Sequence, residues 1–347
     1  MGARCVSLLA ALAAVATVGS VFAGEAWAVT PGWECIPTTA GHAVVSGGTG
    51  SAPSCGAGTT AVLAPTYVAA GVGGVPTVEF AAVNVQIVSG SGSTNGATNG
   101  EGNLIVGYAE NSGGKPQTGS NDLIVGSENG WSSYGNIVGG FRNRASGKYA
   151  TSVGFENTAA GAYSFTAGET NTATGGGSTV TGGQHNTAKG VSSSVAGGHF
   201  NLALDPFSSV DGGCENVAGA GSPISGSCVS GAEAVLGGFE NTASGLESTV
   251  GGGEVSTASG GAASVSGGQF NVASGSGAAV AGGNGNQASG SFAAILGGFE
   301  NFALTFEATV SGGESNTASA TASSVLGGSG NTASSSCQAI PAAPGSC

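Results

Sequence analysis

The sequence predicts an all-β fold: a parallel β-solenoid of about thirteen coils of 14–15 residues, preceded by irregular N-terminal coils and a small N-terminal module. Three observations predict it. An Asn returns every 14 or 15 residues over most of the stretch from Asn143 to Asn331. An apolar residue stands six before it and an Ala two after it in almost every unit. Gly supplies 69 of the 347 residues and charged residues only 7%, far from the composition of an ordinary globular core.

The repeat is read from its Asn: Asn143, Asn157, Asn171, Asn186, Asn201, Asn216, Asn241, Asn271, Asn286, Asn301, Asn316 and Asn331, with Ser256 in the one vacant place. The apolar position is Val180, Val195, Val210 and onward through Ile295 to Val325. A Gly pair follows it, as in Gly267-Gly268. Fifteen residues are too few for a helical hairpin, and a Gly costs a helix about 1 kcal/mol relative to Ala. Short β pieces with Gly and Asn corners fit instead. Coils stacked about 4.8 Å apart pair each backbone group with the coil above and below. Val then stacks on Val and Ala on Ala. Asn is expected at the corner because it tolerates left-handed dihedrals.

The spacing of 25 between Asn216 and Asn241 is one unit plus ten residues, read as a loop inserted within 217–231. Pro agrees with this layout: between Ile137 and Ser335 it occurs only at Pro206, an expected corner, and at Pro223, in the insertion. Upstream, Asn103-Leu104-Ile105-Val106-Gly107 and Asp122-Leu123-Ile124-Val125-Gly126 read as larger first coils, so the array is assigned to 103–335. Residues 78–102 are read as a capping strand and linker, because Val78 to Val88 alternates and a coil stack needs its open edge covered.

Residues 1–28 read as a signal peptide: Arg4, an apolar stretch from Val6 to Val18 too short to span a bilayer, then small-residue cleavage sites ending at Ala23 and Ala28. No transmembrane segment is expected in the mature chain, and the location is read as secreted, extracellular or cell surface. Residues 29–77 form a small module rich in Pro, Gly and Thr, and 336–347 a C-terminal tail. Six Cys follow the leader, which suggests disulfides in an oxidising compartment. Six Cys allow 15 pairings. Proximity favours Cys35–Cys55, Cys214–Cys228 and Cys337–Cys347.

Units such as Ala262-Ala263-Ser264-Val265-Ser266-Gly267-Gly268-Gln269-Phe270-Asn271-Val272-Ala273-Ser274-Gly275 resemble the head repeat of the YadA-like trimeric autotransporter adhesins. The resemblance covers roughly 103–335 and implies a left-handed parallel β-roll that trimerises. This sequence departs from the family pattern in its 15-residue unit, where 14 is commoner, and in showing no heptads or amphipathic strands after Ser335. The reading is a head-only relative without stalk or membrane anchor.

Charge narrows the partners. Against 19 Asp+Glu stand 6 Lys+Arg, and none follows Lys189. Nucleic acid and anionic lipid, which need cations, are excluded as partners. No catalytic constellation, cofactor motif or firm metal site emerges, so the chain is read as a non-enzyme. His185 and His199 fall on neighbouring coils, as solvated corner side chains. Acids recur near one corner on successive coils: Glu156 with Glu169, Glu240 with Glu254 and Glu300 with Glu314. Each pair is expected within about 5 Å, a weak calcium candidate against a solvated acidic edge. Phe141, Phe155, Phe239 and Phe299 precede the Asn by two residues, and Phe200 and Phe270 by one. They suggest either subunit contact or local packing. The function expected is a structural, adhesin-like protein, a homo-oligomer with a trimer suspected, meeting a host, matrix or glycan surface. The alternatives are an ice-binding solenoid, for which Thr158, Thr172, Thr187, Thr242, Thr257, Thr317 and Thr332 form an interrupted row, and a carbohydrate-active solenoid enzyme.

Overall fold

A computed structural model of the chain describes residues 33–37, 59–63, 66–80, 84–220 and 231–341. The chain divides into two units, Met1–Gln86 and Ile87–Cys347. In the first, Trp33–Pro37 pairs antiparallel with Thr59–Leu63, and Thr66–Val68 with Thr77–Glu79. The second unit is a parallel β-solenoid of about 15 turns, consistent with a β-roll.

One side of the solenoid is a sheet of 16 strands from Leu104–Val106 to Ala339–Ile340. Another is a sheet of 14 strands from Gly130–Trp131 to Thr332–Ala333. Single parallel bridges, such as Gln269 to Asn284, form a third line between them. From Phe165 onward the strands are only two residues long, because each turn bends at two corners through a left-handed residue and carries at least one more positive-φ Gly just before the first. In the turn that starts at Ser264 the second bend is at Gly277 (φ +66°) and the first at Phe270 (φ +55°).

The first bend corrects one sequence expectation. The left-handed residue is the one before the Asn, as at Phe270, Glu240 and Glu300. The Asn itself points inward and is fully buried. Its value is in its amide. Asn271 Nδ2 donates to Gly267 O (3.0 Å) in its own turn and to Gly283 O (2.9 Å) in the next. Asn271 Oδ1 accepts the N–H of Asn286 at 3.0 Å. The amide thus saturates the carbonyls that a Gly corner leaves unpaired, which is why Asn recurs there. The column also starts one turn earlier than the repeat suggested, since Asn143 N–H donates to Asn129 Oδ1 at 2.9 Å.

The second Gly of the pair has a steric cause. Gly268 lies at φ +89°, and a Cβ there would collide with Gly283 O of the next turn and with Asn271 Nδ2. Gly275, at the opposite corner, has an ordinary φ but sits where a Cβ would strike Gly290 O.

The interior is thin. Val265 and its equivalents, Ala273 and its equivalents, and the Asn column from Asn129 to Asn316 are buried at 0–1% exposure. Two polar residues interrupt the Val column. Ser152 and Thr166 occupy it on successive turns, and Thr166 Oγ1 donates to Ser152 Oγ at 3.0 Å. The buried apolar residues consequently form two clusters, one from Ile124 to Ala159 and one from Val180 to Ala333.

The insertion leaves the register intact. Val210 pairs directly with Val235, and Val217 with Thr242. Ala220 N–H bonds the turn before at a 15-residue offset, and Ala232 N–H bonds Pro206 O at 26 residues. The ten extra residues are therefore 221–230, narrower than 217–231 and outside the described residues. Among the described residues the alternating segment is a strand over Thr77–Glu79. The first coils are engaged by 89–103: Ser89 N–H donates to Asn121 Oδ1 (2.9 Å) and Asn99 N–H to Ser120 Oγ (2.9 Å). Among the described residues no helix is long and apolar enough to cross a membrane.

Candidate interaction columns

Parallel, in-register stacking turns every outward position into a column along the solenoid. The bridge column contains Glu169, Gln184, His199, Cys214, Phe239, Glu254, Gln269, Asn284, Phe299 and Glu314 in succession. The adjacent column is the first left-handed position and carries Glu156, His185, Phe200, Glu240, Phe270 and Glu300. The acidic, His and Phe candidates from the sequence fall on these two lines.

The acid pairs lie on the two different columns, on successive turns, and other side chains engage several of them. Glu156 is held by Arg142 Nη1 at 3.1 Å. Glu169 Oε2 accepts from Gln184 Nε2 at 2.6 Å, and Glu254 Oε2 from Gln269 Nε2 at 2.7 Å. Gln269 Oε1 in turn accepts from Asn284 Nδ2 at 3.1 Å. These amide–carboxylate contacts extend the backbone ladder into the side chains. Glu240, Glu300 and Glu314 occupy the same two columns farther along. Among the described residues no three His, Cys, Asp or Glu side chains converge as a metal cluster.

The Phe residues do not make one unbroken stripe. Phe141 and Phe155 stack with centroids 5.7 Å apart, and the Arg142 guanidinium lies 4.9 Å from the Phe141 centroid. Phe239 and Phe299 are separated by Glu254, Gln269 and Asn284. Phe200 stacks on His185 at 4.7 Å, and the His185 and His199 rings are 5.8 Å apart. Cys214 Sγ lies 3.9 Å from His199 Nδ1. The partners proposed for Cys35, Cys214 and Cys337, namely Cys55, Cys228 and Cys347, lie outside the described residues.

A second aromatic column escaped the sequence reading. The opposite corner carries Tyr149, Tyr163, Phe207 and Phe292, each at positive φ. Tyr149 and Tyr163 stack at 5.6 Å with their planes 14° apart. The signal was present as an aromatic seven residues after the first left-handed position. The Thr row lies on the outer face of the 14-stranded sheet, in register, with Leu202, Val217, Val272, Gln287 and Phe302 between its members.

Three buried carboxylates were also missed, Asp122, Asp205 and Glu233. Asp205 and Glu233 are each 2% exposed. Burial holds the Glu233 carboxyl above the usual carboxylate range, and the like charge of Asp205 adds to the effect. A scan of protein-family models finds no match to this chain. A search of the curated proteins finds no matching relative.

Proposed function

We propose that this chain is a non-enzymatic, adhesin-like structural β-roll, secreted or displayed at the cell surface. It works through repeated side-chain columns that bind a patterned surface or a second copy of the chain. The observation that carries this reading is the outward row next to the buried Val column. Leu236, Leu296 and Leu326 stand on that one row at 55%, 66% and 62% exposure. Phe239, Phe270 and Phe299 are also 40–50% exposed. From Val180 onward the interior is Val, Ala and Asn with one Ile, and the larger apolar side chains stand outside it. On this row Gly251, Ser266 and Ala281 separate Leu236 from Leu296, and Ser311 separates Leu296 from Leu326, so the apolar side chains recur at intervals along one face, as a repeated contact surface would use them. The resemblance to YadA-like heads, with its trimer, is the finer form of the same proposal.

The test is the mass of the full chain by light scattering, with and without Leu236→Ser, Leu296→Ser and Leu326→Ser combined. A trimer that dissociates in the triple variant supports the reading. A monomer that also fails to adhere to immobilised matrix protein or glycan overturns it.

A further inference from the structure

The first turns of the solenoid carry inward side chains that the rest of the array does not. Trp131 stands in the column that continues as Ala145, Ala159 and Ala173. Asp122 stands one residue before the 16-stranded sheet, in the column that continues as Asn136, Ala150 and Ser164. Trp131 and Asp122 are each 3% exposed, and Asn136 is 1% exposed. Gly119 makes room for the indole, because a Cβ there would lie 2.9 Å from Trp131 Cδ1.

Polar groups of both kinds meet at that point. Asp122 Oδ2, Ser133 O and Trp131 Cδ1 surround the place a Gly119 Cβ would take, each closer than 3.0 Å to it. Trp131 Nε1 is bonded directly to that Cδ1. Asn136 is tied to the same carboxyl, its backbone N–H lying 2.6 Å from Asp122 Oδ1. Side chains of this column turn toward the carbonyl three residues before them. Asn103 Nδ2 reaches Gly100 O at 3.1 Å and Ser164 Oγ reaches Gly161 O at 2.7 Å. For Asn136 that carbonyl is Ser133 O. Yet Asp122 Oδ2, Trp131 Nε1 and Asn136 Nδ2 are all buried with no hydrogen-bond partner among the described residues. Ser133 O accepts the N–H of Ser120 at 2.9 Å, and a carbonyl has two lone pairs. Unmet polar groups out of water destabilise a fold, and several in one small space point to a ligand that meets them.

The groups themselves select that ligand. It accepts from the indole N–H and the Asn136 amide, and it donates to the Asp122 carboxylate and to Ser133 O. A metal cation would face two N–H donors, and an anion would face the carboxylate. A small neutral molecule with two lone pairs and two hydrogens fits both demands. We propose that one water molecule is bound inside the first turns of the solenoid, held by Trp131 Nε1, Asp122 Oδ2, Asn136 Nδ2 and Ser133 O. A buried water makes two to four such bonds to groups that the protein leaves unmet. It links the turn of Asp122 to the next, which carries Trp131, Ser133 and Asn136. One turn further the equivalent side chains are Ala145 and Ala150, which offer no polar atom, so the site is confined to this end of the array.

The experiment uses the full chain at pH 8, above the value of about 7 to which burial pushes the Asp122 carboxyl. Crystals grown in rubidium chloride are expected to show one ordered water about 3 Å from both Trp131 Nε1 and Asp122 Oδ2, with no anomalous rubidium signal there. In solution the Trp131 indole N–H, assigned by its disappearance in Trp131→Phe, is expected to show cross-relaxation with a water that tumbles with the protein. A rubidium peak at that position gives the site to a cation and overturns the proposal. An indole N–H that donates directly to Asp122 Oδ2 or Ser133 O, with no solvent between, overturns it as well. So does an indole N–H that shows no cross-relaxation with bound water.

Discussion

Asn286 places two donors on one oxygen of Asn271: its backbone N–H lies 3.0 Å from Asn271 Oδ1 and its side-chain Nδ2 3.1 Å. The contact repeats from Asn286 to Asn301 and from Asn301 to Asn316. Each amide therefore satisfies its own turn and receives the next. Such chains of amide hydrogen bonds polarise one another.

Ser256 is the gap in this column. Its Oγ accepts the N–H of Asn271 at 3.4 Å, a long contact, and it offers no amide donors to the Gly carbonyls on either side. Ser256→Asn is expected to raise stability by about 1–2 kcal/mol, and Asn271→Ala to lower it by about 3 kcal/mol or more. Chemical denaturation with circular dichroism detection measures both. A destabilising Ser256→Asn contradicts the amide-ladder account.

Gly268 is required on two grounds, its left-handed backbone and the carbonyl of Gly283 facing its missing Cβ. Gly268→Ala is expected to cost about 2–4 kcal/mol. Gly267, one residue earlier, has open space where its Cβ would stand. Gly267→Ala is expected to change stability by less than about 1 kcal/mol. Equal losses in the two variants are incompatible with this steric reading.

The Ser152–Thr166 pair divides the apolar interior. Ser152→Val alone leaves the Thr166 hydroxyl buried without its acceptor and is expected to destabilise by about 1–3 kcal/mol. Ser152→Val with Thr166→Val joins the two Val columns and is expected to match or exceed the parent stability. A double-mutant cycle reads the coupling directly. Additive losses rule out a pairwise role for this hydrogen bond.

Asp122 stands in the column where Asn103 and Asn136 precede and follow it. Its Oδ1 accepts Asn136 N–H at 2.6 Å, while Oδ2 is buried without a partner among the described residues. Burial pushes its pKa up to about 7, against the opposing effect of the Asn136 hydrogen bond. The folded protein then binds more protons than the unfolded chain between about pH 4 and pH 7. Stability contributed at this site is therefore full below about pH 4, falls as pH rises, and levels off above about pH 7. Asp122→Asn is expected to melt higher at pH 8 and to lose that slope. Thermal melts from pH 4 to pH 8 measure it, and an unchanged slope in the variant refutes the assignment.

The repeat was legible because each turn uses the same few residues for the same physical task. Val265 and Ala273 announce themselves by period alone, and across the 25-residue gap the register resumes, with Val210 paired to Val235. The role of Asn did not follow from period. A residue that recurs beside a Gly corner looks like a turn former, and only the hydrogen bonds to Gly267 O and Gly283 O reveal an inward amide.

By itself, then, the sequence determined the stacked β turns, their number to within two or three, and the side chains that form columns, because stacking needs only equal spacing. The tertiary structure decided that the Asn faces inward, which residue bends the chain, and where Asp122, Asp205 and Glu233 sit buried. Those properties depend on contacts between turns 15 or 25 residues apart, and burial and hydrogen-bond satisfaction exist only once those turns have closed on one another.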